Sequence, residues 1–182
     1  MTTKVTEIDH RIVSRLGDAR AILDVGCGDG RLTWLLAQET NCEIIGIDLS
    51  RSGFRKAKRI AHQAGVGHLV RCLKGDVCHL NFPNGQFDLV ILSYSLHHIE
   101  DSPAALREIH RVLRPGGTII ISEHEVKEGG TLGDCYQFTL AELMKSLDGA
   151  GFADTRWERV DGDILLSAIN KIREEAWTSN RV

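Results

Sequence analysis

The 182-residue sequence has no apolar run approaching the ~18 residues that cross a bilayer, and its opening, "MTTKVTEIDHR", has no apolar core behind a basic end. Neither a membrane span nor a secretory signal is expected. The chain also lacks a surplus of cations, since 22 Lys and Arg stand against 25 Asp and Glu for a net charge of -3. With so little to grip a phosphate backbone, sequence-independent nucleic-acid binding is disfavoured. No C-x-x-C pair occurs. The five cysteines (Cys27, Cys42, Cys72, Cys78 and Cys135) are odd in number, which argues against a disulfide framework and against a structural zinc site. Buried free thiols in a reducing cytoplasm are expected, with no metal. Repeats, low-complexity tracts and linkers are missing too, so residues 1–182 read as one domain, with a short N-terminal helix within 1–20. A domain of that size buries roughly 70% of the surface its unfolded chain exposes and needs no staple.

What the chain does have is an alternation of two periodicities. Short apolar runs at 21–25, 43–48, 69–76, 87–93 and 117–123 suit strands buried on both faces of a parallel sheet. Helical stretches lie between them at 31–39, 51–65 and 103–117, the last opened by Ser102-Pro103. A helix over 139–151 and two strands, 153–160 and 163–171, close the pattern around an Asp161-Gly162-Asp163 turn that makes the pair antiparallel. The expectation is a doubly wound, Rossmann-like α/β fold with a seven-stranded sheet, mostly parallel with a C-terminal antiparallel strand.

In such a sheet the ligand lies at the carboxyl ends of the strands, where the first strand-to-helix turn meets it. Here that turn is "VGCGDG", ending at Gly30. A dinucleotide fingerprint needs a third glycine where Arg31 stands, and a phosphate loop needs a lysine that the turn does not have. Asp24 and Asp29 flank the glycines and would repel a pyrophosphate. The expected ligand is cationic and free of phosphate. Asp48 ends the second strand 22 residues beyond Gly26, where a carboxylate can accept both hydroxyls of a ribose, and Asp76 ends the third, where it can accept from an adenine amine. S-adenosylmethionine, an adenosine that carries a sulfonium and an ammonium, satisfies this set.

The segments "LDVGCGDG", "GIDLS", "GDV", "FDLVILSYSLHHIED" and "LREIHRVLRPGGTIIISE" resemble the successive motifs of class I S-adenosylmethionine-dependent methyltransferases of the UbiE-like branch, over about residues 20–170. The resemblance implies that Asp24 sits near the methionine end and that Gly26, Cys27 and Gly28 supply backbone. It implies Asp48 on the ribose, Leu49 against the adenine, Asp76 on the adenine amine and the Val77 N–H on a ring nitrogen. Ser93 and Tyr94 would lie beside the reactive methyl.

Methyl transfer from a sulfonium asks mainly for alignment, so a base is optional. His97 after strand four and His124 after strand five flank the cleft, and either imidazole suits proton abstraction near neutral pH, with Glu123 or Glu125 as neighbours. Both also read as ordinary hydrogen-bonded residues. Cys135 and Tyr136 lie where relatives often touch substrate. The Asn/Asp-Pro-Pro-aromatic sequence of enzymes that methylate nucleobase amines is replaced by "SYSLHH", which favours a small-molecule acceptor. Two rivals stand beside that reading: a methyltransferase for protein or RNA, and a non-catalytic cofactor-binding subunit. Only about 15 residues, 124–138, separate strand five from the next helix, so the cleft is expected to have little lid of its own and a homodimer partner is a candidate to supply it.

Overall fold

The computed structural model describes residues 5–132 and 135–171. Helix α1 (Glu7–Val13) leads into the alternation β1 (Ile22–Val25), α2 (Arg31–Thr40), β2 (Ile44–Asp48), α3 (Phe54–Gln63) and β3 (Val70–Lys74). The chain then returns through β4 (Phe87–Ser93), α4 (Ser102–Val112) and β5 (Leu113–His124). A small hairpin, β6 (Gly130–Leu132) with β7 (Cys135–Gln137), precedes α5 (Leu140–Gly149), β8 (Phe152–Val160) and β9 (Asp163–Asn170).

The main sheet runs β3-β2-β1-β4-β5-β9-β8, parallel except for β9, which is antiparallel to both neighbours. β1 pairs with β2 on one side and β4 on the other. The strand order therefore reverses between β1 and β4, and the crevice of such a fold opens at their carboxyl ends. Successive residues of a strand face opposite sides, and here both sides are dry. Ile22 packs with Ile8, Ile12 and Leu36 under α1–α3, whereas Leu23 packs with Leu106, Ile109 and Leu143 under α4 and α5. On α3 only Ala57 and Ala61 are buried, which leaves its basic residues in solvent.

Three sequence expectations shift. The helix placed over 103–117 ends at Val112, because a residue before proline is pushed out of the α region, here Arg114 before Pro115, and the chain enters β5 at Leu113. Asn170 holds this corner by donating Nδ2 to the carbonyls of His110, Leu113 and Arg114 at 3.0, 2.8 and 3.2 Å. The 124–138 stretch, expected to supply little lid, contains the β6–β7 hairpin. The thiols are all free as expected, but Cys27 is the only one fully buried. The closing turn is as read: Asp161 and Gly162 both have positive φ, 52° and 90°, the geometry of a two-residue hairpin.

Candidate active site

Between the carboxyl ends of β1, β2 and β4 lies a cavity of about 270 Å³ lined by Gly26, Asp48, Leu49, Val77, Tyr94 and Ser95, among others. The glycine turn that forms its floor has no room for a side chain at Gly26 or Gly30. Gly26 adopts φ 72°, and a Cβ there would sit 2.5 Å from the Cβ of Ser95. Ser95 is itself fixed by donating Oγ to the Val25 carbonyl at 2.8 Å. At the other end of the turn, a Cβ on Gly30 would meet that of Ala57 at 2.4 Å.

The acids divide by environment. Asp48 accepts the Gly28 N–H at 2.9 Å and the Ser50 N–H at 2.8 Å, so its carboxylate orders both the glycine turn and the loop after β2. Each oxygen keeps a further lone pair for a ligand. Asp24 is buried behind the turn, where it accepts the Thr33 hydroxyl at 2.6 Å. Desolvation pushes its carboxyl up to about 6, against the pull of Thr33 and Arg31. Asp76 stays in solvent, accepts the Cys78 N–H at 2.8 Å and is held below the usual carboxylate range chiefly by that bond. It lines a neighbouring cleft of about 730 Å³ together with Phe54 and Gly75. Asp29 is paired outward with Lys56 at 2.5 Å.

Five of the ten cofactor candidates (Gly26, Asp48, Leu49, Val77 and Tyr94) thus share the one cavity. Leu49 is 66% exposed, an apolar plate with nothing over it. Gly28 presents its N–H to Asp48 and not to the cavity. Cys27 is buried over Gly46, its thiol held protonated by a hydrogen bond with Cys72 and by burial. Ser93 points between strands to accept from the Ser122 hydroxyl at 3.1 Å. Tyr94, at φ 53°, donates its hydroxyl to Asp163, and burial with that bond pushes its phenol up.

The histidines follow the same rim. His97 Nδ1 lies 2.5 Å from Oε2 of Glu123, whose other oxygen accepts the His97 N–H at 3.2 Å. Glu123 is 3% exposed, so the carboxylate of this pair is shut from water while the imidazole keeps a partly exposed edge. His124 Nδ1 lies 2.7 Å from Asp163, and its ring packs 4.8 Å from that of Tyr94. The His97 and His124 rings are 6.5 Å apart. Glu125 instead pairs outward with Arg159, and Tyr136 with Glu142. Sequence reasoning missed Ser95, Asp163, His98 and the Arg31–Asp9 ion pair that ties α1 to the start of α2. Only the fold brings Ser95, Asp163 and His98 to the rim.

The donor set suits a cationic nucleoside. It offers an acidic turn, a carboxylate with free lone pairs, a bare apolar face and, among the cavity's named residues, no lysine or arginine for a phosphate.

The family described as a methyltransferase domain matches residues 23–121. The chain is 36% identical over 125 residues to the demethylmenaquinone methyltransferase of Lactiplantibacillus plantarum, covering 68% of this chain and 53% of that one. Its fold superposes on the [4+2]-cyclase SpnF with a TM-score of 0.83 at 24% identity, over 91% of this chain and 80% of that one. It superposes on phosphoethanolamine N-methyltransferase 2 of Haemonchus contortus, solved with S-adenosyl-L-methionine, with a TM-score of 0.77 at 19% identity, over 91% and 52%. The chain spans about a third to a half of the length of the curated relatives it matches. The match of more than half the sequence, on a sheet of this order with a glycine turn at its switch point, shows that the chain belongs to the class I S-adenosylmethionine-dependent methyltransferases.

Proposed function

We propose that this protein transfers a methyl group from S-adenosylmethionine to a small-molecule acceptor by direct in-line displacement. The observation that carries the reading is the cavity at the β1–β4 reversal, where the glycine turn and Asp48 meet the apolar Leu49. When bound, S-adenosylmethionine supplies an electrophilic methyl on a sulfonium. In this proposal Asp48 binds the ribose hydroxyls and Leu49 covers the adenine. The Val77 N–H and Asp76 read the adenine edge, Gly26 lines the methionine path with Cys27 and Gly28 holding the turn behind it, and Asp24 balances its positive charge. Tyr94 shapes the wall beside the reacting centre, with Ser93 behind it in β4. Holding nucleophile and methyl in line at ~3–3.5 Å supplies roughly 7–11 kcal/mol of the barrier, which leaves little for side-chain chemistry.

An acceptor that loses a proton meets two imidazoles, His97 and His124, each oriented through Nδ1 by a carboxylate. That arrangement leaves Nε2 as the proton-accepting atom. The acidic balance of the chain favours a small acceptor over RNA. We place the protein in the cytoplasm, as one domain over 1–182, on its thiol content and lack of linkers. No described helix is long and apolar enough to cross a membrane. A homodimer partner would complete the closure that the short β6–β7 hairpin begins.

The test is methyl-labelled S-adenosylmethionine incubated with protein and a cell extract that is split after reaction into small-molecule, protein and RNA fractions. Label in the small-molecule fraction is expected. Label confined to protein or RNA overturns the acceptor class. Cofactor binding without transfer to any fraction, for a purified sample that is folded, favours the non-catalytic subunit.

A further inference from the structure

Three potential metal ligands from two separate segments converge at the mouth of the cofactor cavity. His97 and His98 lie on the single turn Leu96–His98 that follows β4, and their rings stack with centroids 4.0 Å apart. Cys135 opens β7, and its Sγ lies 3.1 Å from Nδ1 of His98 across 37 residues of sequence. One ring nitrogen of each histidine and the cysteine sulfur all lie within 4.8 Å of one another. Tetrahedral zinc with Zn–S of about 2.3 Å and Zn–N of about 2.0–2.1 Å sets its ligand atoms roughly 3.4–3.8 Å apart. The sulfur and His98, at 3.1 Å, lie a few tenths of an ångström inside that spacing, and side-chain rotation of His98 and Cys135 brings all three atoms to it.

We propose that His97, His98 and Cys135 form a Zn2+ site at the edge of the methyl-transfer cleft. The ligand set is borderline-soft, imidazole with thiolate, which suits zinc over magnesium or calcium. Three protein ligands with one position open is the composition of a catalytic zinc site, whereas structural sites are closed by four. The supporting shell is also present. Glu123, shut from water, engages His97 at Nδ1, the carboxylate–histidine arrangement that fixes the tautomer of a metal ligand and leaves Nε2 for the ion. No short cysteine spacing announced the site, because the thiol reaches the histidines only when the β6–β7 hairpin folds over the turn after β4.

His98 also lines the cofactor cavity, so the open position faces the space where an acceptor meets the methyl donor. Resting on the methyltransferase reading, the site takes an acceptor through a thiol or hydroxyl. The ion lowers the pKa of the bound group, the proton leaves to His124 or water, and the electron pair stays on the heteroatom as the nucleophile. In the loaded protein His97 is a ligand, and the proton-accepting role rests with His124.

The experiment uses the full chain, stripped with a chelator under reducing conditions and titrated with Co2+ and then Zn2+. One equivalent of Co2+ should give a near-ultraviolet thiolate-to-cobalt charge-transfer band, displaced by Zn2+ that binds tighter than about 1 µM in competition with a chromophoric chelator. Cys135→Ser should abolish the band and His98→Ala should weaken binding. Glu123→Gln should weaken it by roughly 10- to 100-fold, while Cys42→Ser leaves the spectrum unchanged. No band in the wild-type protein, or a band that survives Cys135→Ser, overturns the site. S-adenosylmethionine affinity measured on the stripped samples keeps the two readings apart. Lost cofactor binding with an intact cobalt spectrum counts against the methyltransferase reading alone, and the reverse counts against the metal alone.

Discussion

Thr33 donates its hydroxyl to Oδ2 of Asp24 at 2.6 Å, and both side chains are shut away from water behind the glycine turn. One short bond does not repay the desolvation of a carboxylate, which is why Asp24 titrates at about 6 and not near 3.8. A carboxyl raised in the folded state stabilises the fold below its unfolded value and loses that contribution as pH rises through the folded one. Between about pH 4 and pH 6.5 the loss amounts to about 2 kcal/mol, from 1.36 kcal/mol per pKa unit. Urea unfolding of wild type and Asp24→Asn at both pH values should show this decline in the wild type and not in the variant. A cationic cofactor favours the ionised form, so its affinity should rise over about pH 5 to 7 in the wild type and stay flat in Asp24→Asn.

Asp48 has two duties, because its oxygens accept the Gly28 and Ser50 N–H groups as well as facing the cavity. Hydrogen bonds to a charged group contribute roughly 1.5–3 kcal/mol each. Asp48→Ala should lower S-adenosylmethionine affinity at least ~10-fold and also reduce thermal stability. Asp48→Asn, which keeps an acceptor for one of the two N–H groups, should recover part of the stability. Titration calorimetry beside thermal unfolding separates the two losses.

The contact between Gly26 and Ser95 predicts a specific rescue. Gly26→Ala pays for a left-handed backbone and for overlap with the Ser95 Cβ, together about 2–5 kcal/mol. Ser95→Gly removes the overlap but not the backbone strain. In a double-mutant cycle the pair should therefore be less destabilised than the sum of the two single changes, and strict additivity would rule out the contact.

His124 stands 64% exposed with Nδ1 held by Asp163. For an acceptor that gives up a proton, His124→Ala should lower turnover by ~10²–10⁴-fold with cofactor affinity unchanged. Asp163→Asn should give a smaller fall in the same direction, since the imidazole remains but loses its orienting charge. Steady-state kinetics with the identified acceptor decide it.

Asn170 spends both amide hydrogens on the α4–β5 corner. Asn170→Leu leaves buried carbonyls without a donor at roughly 1–3 kcal/mol each, so chemical denaturation should show a loss well above that of an ordinary surface change.

The parallel strands and the glycine turn were legible because local pattern decides them: β-branched runs do not suit helices, and Arg31 in place of a glycine excludes a dinucleotide loop. Asp48 was legible from its distance to Gly26. The corner at Leu113 was misjudged because helical periodicity runs on through "VLRPGG", and the restriction that Pro115 places on Arg114 overrides it. Ser95, Asp163 and His98 gave no local sign. Each matters through a partner 37 or more residues away, such as Val25, Tyr94 or Cys135, and single-sequence spacing carries no register between distant segments.

β9 enters the sheet between β5 and β8, although β8 precedes it in the chain. During synthesis, then, the edge of β5, with Ile119, Ile120 and Ile121 buried in the finished sheet, stays unpaired until β9 has left the ribosome. Because β9 runs antiparallel, its first residue, Asp163, lands at the rim beside Tyr94 and His124. A nascent chain stalled before that point holds the glycine turn and Asp48 but not the completed rim, and it presents an open strand edge to chaperones or to other unfinished copies.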